Sequence, residues 1–342
     1  MTRLGIVVIG RNEGERLKAC LESIAHLGQP IVYVDSGSTD GSPEFAGDRG
    51  VHVVALNMAI PFTAGLARNA GFECLVKNHP ETRYVQFVDG DCVVCQGWLE
   101  TAVQFLESHS AYAIVCGQLS ERYRDASIYN RLMALEWNTP AGDAPACGGI
   151  FAIRATAFQE VNGFNPSIIA GEEPELCVRL RQKGCRIRRL SDPMVLHDAA
   201  MTQFSQWWKR AKRAGHAYAE GAALHGKTNF RHKIREVRSS LFWGGLVPAF
   251  AILTAFAGFL WPNAWLGTVA AILGWGFMIL RVTQSSRRRG WSAADSLLYA
   301  FFCALSKPAA FLGICQYWWN RWQGQRSKLI EYKVAEALST KH

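Results

Sequence analysis

The chain has 342 residues, 49% of them apolar and 19% charged, with 37 basic and 28 acidic side chains and a net charge of +9. That length and apolar content provide an ample core in one large or two smaller units, and they exclude a disordered, collagen-like or disulfide-miniprotein class. The positive charge fits anionic partners, but no basic stretch carries a helix-turn-helix or RNA-binding signature, so nucleic acid is not an expected partner.

The first apolar run is Gly5-Ile6-Val7-Val8-Ile9, followed by Gly10-Arg11-Asn12. It is too short for a signal peptide, so the N-terminal part is expected to stay in a reducing cytoplasm. Leu17, Cys20, Leu21 and Ile24 then repeat at helical spacing. Further strand-like runs are Ile31–Val34, ending at Asp35, then Val51–Val54, then Tyr84–Val88, ending at Asp89. Helix-like segments separate most of them, and that alternation predicts a mainly parallel sheet with helices on both faces. The ten cysteines are scattered; Cys92 and Cys95 form the one C-x2-C pair, and no second pair completes a zinc site, so packing roles are expected.

Ligands of open α/β sheets bind beyond the carboxyl ends of the strands. Those ends carry acids here. Asp35 opens Asp35-Ser36-Gly37-Ser38-Thr39-Asp40-Gly41-Ser42, which can either meet a base or ribose or form an ordinary Asx-rich turn capping the next helix. Asp89-Gly90-Asp91 places two carboxylates where Mg²⁺ or Mn²⁺ can bridge to a diphosphate. Gly171-Glu172-Glu173-Pro174-Glu175 is the third acidic site. Pro174 suits the first position of a helix that Gly184 ends, which leaves Glu172 or Glu173 projecting from a loop as a general base, with Glu175 suited to the helix dipole.

From Ser239 to Leu280 there is no charged residue and no His. The stretch holds two spans of about 20 residues, roughly 241–261 and 264–281, with the turn at Trp261-Pro262-Asn263; a buried helical hairpin is the alternative. Arg231, Lys233, Arg235 and Arg238 precede it, and Arg287, Arg288 and Arg289 follow, which fits a cytoplasmic face for both clusters. A third apolar stretch, 296–319, has Lys307-Pro308 at its centre. A full third span would export Arg321, Arg326, Lys328 and Lys333, so a re-entrant or interfacial segment is expected.

With these sites in this order, the chain resembles a family 2 glycosyltransferase of the GT-A fold over roughly residues 4–200. Arg11-Asn12-Glu13 resembles an early Asn-Glu motif beside the nucleotide, and Asp35 matches the aspartate on the base. Ala67-Arg68-Asn69-Ala70-Gly71 resembles a donor-site pattern, and Asp89 and Asp91 match the metal-binding D-x-D. Cys147-Gly148-Gly149-Ile150-Phe151 resembles the Gly-Gly element lining the sugar and acceptor pocket. Gly163-Phe164 with Gly171-Glu172-Glu173 resembles the stretch bearing the base, and His197 a histidine often near the metal. The resemblance implies nucleotide-sugar contacts at Asn12, Glu13, Asp35, Ser36, Arg68, Asn69, Asp89, Gly90, Gly148 and Gly149. It implies Mg²⁺ or Mn²⁺ on Asp89, Asp91 and His197, and Glu173 as the base with Glu172 as the alternative.

Two departures matter. The family usually has Glu-Asp where this chain has Glu172-Glu173. Processive synthases carry Gln-x-x-Arg-Trp, whereas Gln206-Trp207-Trp208-Lys209-Arg210 has Lys and Arg in the last two places, which favours addition of a single sugar. Lys209, Arg210, Lys212 and Arg213 could hold a diphosphate or a lipid phosphate, or lie as a solvated helix face at the membrane surface. The expected division is a GT-A domain (1–205), a basic amphipathic juxtamembrane segment (206–240), membrane helices (241–320) and a basic tail (321–342). The expected activity is inverting transfer from a nucleotide-sugar, most commonly a UDP-sugar in this family, to a lipid-linked or glycolipid acceptor. The expected setting is cell-envelope glycan synthesis at a bacterial inner membrane, with the catalytic domain cytoplasmic. A sugar-phosphate nucleotidylyltransferase would share the sheet and acids but needs a Gly-rich triphosphate loop, of which Gly10-Arg11-Asn12-Glu13-Gly14 is a poor version. A non-catalytic nucleotide-binding scaffold would not need all three acidic sites.

Overall fold

The computed structural model describes residues 4–59 and 62–325; the expected basic positions Arg326, Lys328 and Lys333 lie outside them. The chain divides into two units, one through Thr202 and one from Gln203 onward.

In the first unit the four expected strands form: β1 (Leu4–Gly10), β2 (Ile31–Asp35), β3 (His52–Ala55) and β4 (Tyr84–Asp89). They alternate with helices α1 (Glu15–Ala25), α2 (Ser42–Asp48) and α3 (Ala64–Asn78). The strands pair in parallel in the order β3-β2-β1-β4, which requires helical crossovers and puts all four carboxyl ends on one edge. Five consecutive residues of both β1 and β4 are buried, as expected of parallel strands covered on both faces. In register, Gly10 lies opposite Asp35 and Ile9 opposite Asp89, so the loops carrying Asn12, Asp35 and Asp89 start side by side.

The second half of this unit adds β5 (Cys92–Val94), α4 (Trp98–Ser108), β6 (Tyr112–Glu121), α5 (Ile128–Trp137), β7 (Gly142–Asp143), β8 (Phe151–Arg154), α6 (Ala155–Glu160), α7 (Glu172–Gln182) and β9 (Arg186–His197). β8 inserts antiparallel between β4 and β6, and β9 runs parallel to β6 and antiparallel to β5 and β7. The sheet is therefore mixed and mainly parallel in its first half, as expected. Phe87, Phe151, Phe158 and Phe164 interlock under the site with ring centroids 5.4–6.2 Å apart, and Trp98 donates its indole N–H to buried Gln86 at 3.0 Å.

The second unit is helical: α8 (Phe204–His225), α9 (Ile234–Leu241), a π-helical turn over Phe242–Leu246, α10 (Val247–Gly258), α11 (Trp265–Arg288) and α12 (Ala293–Trp322). Three stretches are long and apolar enough to cross a membrane: Ile234–Gly258, Pro262–Arg288 and Ala293–Trp322. The first begins earlier than the charge-free run and takes in Arg235 and Arg238. The second runs on past Arg281. The turn between them lies at Trp261-Pro262-Asn263, as expected. The third is an unbroken helix of 30 residues through Lys307 and Pro308. Apolar side chains along the first two point outward, among them Leu246, Phe256 and Leu273, each at least 66% exposed.

α8 and α12 touch backbone to backbone. A Cβ on Gly215 would fall 2.0 Å from the Ala310 carbonyl oxygen, and one on Gly313 2.0 Å from that of Lys212. No rotamer relieves a clash with backbone. Gly313→Val is expected to force the helices apart and cost about 1–3 kcal/mol or more, read as a lowered thermal midpoint of the detergent-solubilised chain. An unchanged midpoint would mean that the helices do not meet at this point.

Candidate active site

The loops after β1 and β2 are tied together. The Asn12 N–H donates to Ser38 Oγ at 2.9 Å, and Asn12 Oδ1 accepts from the Thr39 N–H at 2.8 Å, with Asn12 at φ 54°. Asp35 is buried at the end of β2. Its Oδ2 accepts from the N–H groups of Gly37 and Ser38, both at 2.9 Å, and its Oδ1 from the Tyr33 hydroxyl at 3.1 Å. Burial and the Asp35 charge push the Tyr33 phenol up, so it stays protonated and donates. Ser36 is buried beside it, its N–H on the Gly10 carbonyl. Both readings of the Asp35 loop therefore meet here: it is an Asx turn, and it stands on the edge where ligands bind. Glu13 pairs with Arg16 at 2.9 Å, and its stem packs against Gly90, so the β1 loop also abuts the D-x-D loop.

Arg68, 2% exposed on α3, is the hub of the next cluster. Its Nη2 donates to Asp89 Oδ1 at 2.7 Å and its Nη1 to Glu172 Oε1 at 2.9 Å. Burial works against its charge, but the two carboxylates outweigh burial and hold its pKa above the usual range. The Gly148–Gly149 turn closes over this group. A Cβ at Gly149 would lie 2.7 Å from Arg68 Nη2 and 3.4 Å from Asp89 Oδ2, so this position needs glycine for close approach. Asn69, next along α3, exchanges two hydrogen bonds with the Phe164 backbone at 2.8 and 2.9 Å. It pins the Gly163–Phe164 loop beneath the site.

Gly171, at φ 81°, ends that loop, and α7 starts at once with Glu172 and Glu173 as its first two residues. The expectation that Pro174 opens the helix, with the two glutamates in a preceding loop, is corrected. Pro174 is the third helical position, which tolerates it because the first-turn N–H groups have no intrahelical acceptor. Successive residues on a helix point apart. Glu172 turns to Arg68. Glu173 turns inward, where its Oε1 accepts from the Cys147 N–H at 2.6 Å and from the Cys147 and Cys177 thiols, each at 2.9 Å. Burial pushes the Cys177 thiol up to about 12 and Cys147 well above its usual value, so both remain donors. Among the described residues no hydrogen bond ends on Glu173 Oε2. Glu175 pairs with Arg179 one turn on, at 2.8 Å.

The third cluster forms where β5 pairs with β9, with Cys92 opposite His197. His197 Nε2 lies 3.4 Å from Asp91 Oδ2, and Nδ1 lies 3.9 Å from Glu121 Oε2. The Trp137 ring packs edge-on against the imidazole at 4.5 Å. Asp91, Cys92 and His197 lie close enough to share an ion, as do Cys147, Glu173 and Cys177. In the first group the Asp91 carboxylate is a hard oxygen ligand and the His197 imidazole a borderline nitrogen ligand, a mixed set that a divalent ion such as Mn²⁺ can accept. His197 Nδ1 is buried without a hydrogen bond among the described residues.

The structure thus gathers Arg68, Asp89, Glu172 and Gly149 into one contact group and sets Asp91 and His197 into a second. Glu173 stands in a third, one residue from the first. Sequence reasoning missed Glu121, Trp137, Cys147 and Cys177 as partners. Only Cys177 carried a local signal, four residues after Glu173 on one helix face.

Comparison with known proteins accords with this geometry. The family Glycosyl transferase family 2 matches residues 5–160, and Glycosyl transferase family group 2 matches residues 84–283, more than half of the chain. The chain is 26% identical over 235 residues to the pre-mycofactocin glycosyltransferase of Mycobacterium tuberculosis, covering 64% of this chain and 47% of that protein, so it spans about half the length of this relative. It is 24% identical over 226 residues to the glycosyltransferase AglE of Haloferax volcanii, covering 62% of this chain and 71% of that one. In fold it is similar to the mannosyltransferase PcManGT from Pyrobaculum calidifontis, solved with GDP-Man and Mn²⁺, with a TM-score of 0.56 at 17% identity over 93% of this chain and 88% of that one. Strand order, acidic loop ends and family match converge: the chain belongs to glycosyltransferase family 2 and has the GT-A fold.

Proposed function

We propose that this chain moves a sugar from a nucleotide-sugar to a hydroxyl of a lipid-linked acceptor, with inversion and one sugar at a time. The observation that carries the reading is the carboxylate–imidazole pair Asp91–His197 beside the Asp89–Arg68–Glu172 cluster, at the carboxyl ends of parallel strands. The Mn²⁺ and GDP-Man of PcManGT support a divalent ion and a nucleotide-sugar here.

Asp91 and His197, with Asp89, would hold Mg²⁺ or Mn²⁺, which when bound supplies charge neutralisation for the departing diphosphate. Asn12, Glu13, Asp35 and Ser36 form the nucleotide end of the site. Arg68 fixes Asp89 and Glu172 in place, Asn69 holds the Phe164 loop, and Gly148–Gly149, at the sugar end of the site, lets the backbone approach Arg68 and Asp89 closely. Glu173, its Oε1 clamped by three donors, presents Oε2 to take the acceptor proton as the hydroxyl attacks in line. The three apolar helical stretches support an embedded acceptor at a bacterial inner membrane and a role in cell-envelope glycan synthesis. Arg287, Arg288 and Arg289, with the Arg231–Arg238 cluster, support a cytoplasmic site. Lys209 and Arg210, where processive synthases carry Arg and Trp, support single addition.

The test is donor binding by the detergent-solubilised chain across UDP-, GDP- and other nucleotide-sugars, with Mn²⁺ or Mg²⁺ and with chelator. One donor is expected to bind in a metal-dependent way. Asp91→Asn is expected to weaken that binding by at least about 10–100-fold, the loss typical of a residue that merely supports a metal ligand. Binding indifferent to both chelator and Asp91→Asn overturns the metal assignment.

A further inference from the structure

The second unit carries a cavity that the sugar chemistry does not use. It has a volume of about 600 Å³ and is lined by Phe230, Arg231, Arg235, Arg238, Phe242 and Trp243. That size suits a ligand headgroup with part of its chain. Arg235 and Arg238 lie one turn apart on α9, and Arg231 reaches the same cavity from the turn before it. The one acidic residue of this segment, Glu236, lies 3.5 Å from Lys233. No carboxylate among the described residues pairs with the three arginines, and all three are exposed. Three arginines lining one cavity bring like charges together there, which an anion bound in it would offset.

The rest of the wall identifies that anion. Phe230, Phe242 and Trp243 are apolar, and the cavity sits at the start of a helical stretch long enough to cross a membrane, so the ligand has a charged end and a greasy one. Arginine binds phosphate oxygens through paired N–H groups. A phosphodiester headgroup brings a single charge against three. A phosphomonoester brings roughly −1.5 to −2, and a diphosphate more, so these match the cavity better.

We infer that this cavity holds the phosphomonoester or diphosphate of a membrane lipid, its chain running along Phe242 and Trp243 toward α10. The inference rests on the proposed lipid-linked acceptor, and gives that acceptor's phosphate a site on this chain.

The experiment measures lipid binding alone, without donor or turnover, so it succeeds or fails independently of the transferase reading. The full chain in neutral detergent is mixed with phytanyl phosphate, with phytanol, or with a phosphatidylglycerol, and bound lipid is counted by native mass spectrometry. Phytanyl phosphate is expected to bind at least about tenfold more tightly than the alcohol or the phosphodiester lipid, and inorganic phosphate at millimolar level is expected not to displace it. The triple variant Arg231→Gln, Arg235→Gln, Arg238→Gln is expected to lose that preference with its thermal midpoint kept, the positions being exposed. Arg287→Gln, Arg288→Gln, Arg289→Gln, which removes equal charge without a cavity, is expected to retain it. Equal binding by the first variant, equal loss in the second, or displacement by inorganic phosphate each overturns the inference.

Discussion

Glu173→Gln is expected to bind the donor as the native chain does and to turn it over about 10²–10⁴-fold more slowly, the usual contribution of a positioned general base. The substitution is close to isosteric. The amide oxygen can still accept from the Cys147 N–H and from the two thiols, so the α7 start and the Cys147–Gly149 segment keep their anchor. What disappears is the oxygen that can take a proton. Single-turnover rates and donor affinity, measured on the same preparation, separate the two effects. Glu172→Gln is the informative companion. It weakens the ion pair with Arg68, so its effect should fall on stability and donor affinity before turnover. Were Glu172→Gln to lose turnover with donor affinity intact while Glu173→Gln kept it, the base would be Glu172.

The first half of the sheet was legible because its signals are local. β1, β2 and β4 are predominantly apolar runs ending in a glycine or an acid, and α1 shows its buried face at helical spacing. The second half was not. β5 has three residues and β7 two, too short to show a period, and β9 carries Arg186, Arg188, Arg189 and Asp192 within a strand that reads as polar. Its place is fixed by pairing with β6 and β5, which depends on residues far away in the chain. The site divides in the same way. The acids were readable from their positions after strands. Their partners were not, because Arg68 meets Glu172 across 104 residues and Asn69 meets the Phe164 backbone across 95. The opposite facing of Glu172 and Glu173 follows from Gly171. Its left-handed φ starts the helix two residues earlier than Pro174 suggests, and helical geometry then splits the pair.

Arg68→Met is expected to destabilise the first unit by about 3 kcal/mol, the low end for breaking a buried ion pair. The low end applies because the Asp89 side chain is 32% exposed and can recover water, whereas that of Glu172 is 13% exposed and cannot. For a domain of this size the loss corresponds to a thermal midpoint lower by about 6–12 °C. Met keeps the volume of the side-chain stem, so packing against Phe164 is not the main loss. Arg68→Lys tests the geometry. One ammonium is a point charge that cannot replace a planar fork spanning two carboxylates, so Lys should recover only part of the midpoint. Donor affinity should drop in the same variant, since Asp89 loses the contact that fixes it beside Gly149. A midpoint unchanged at neutral pH would mean that the cluster is not held by Arg68.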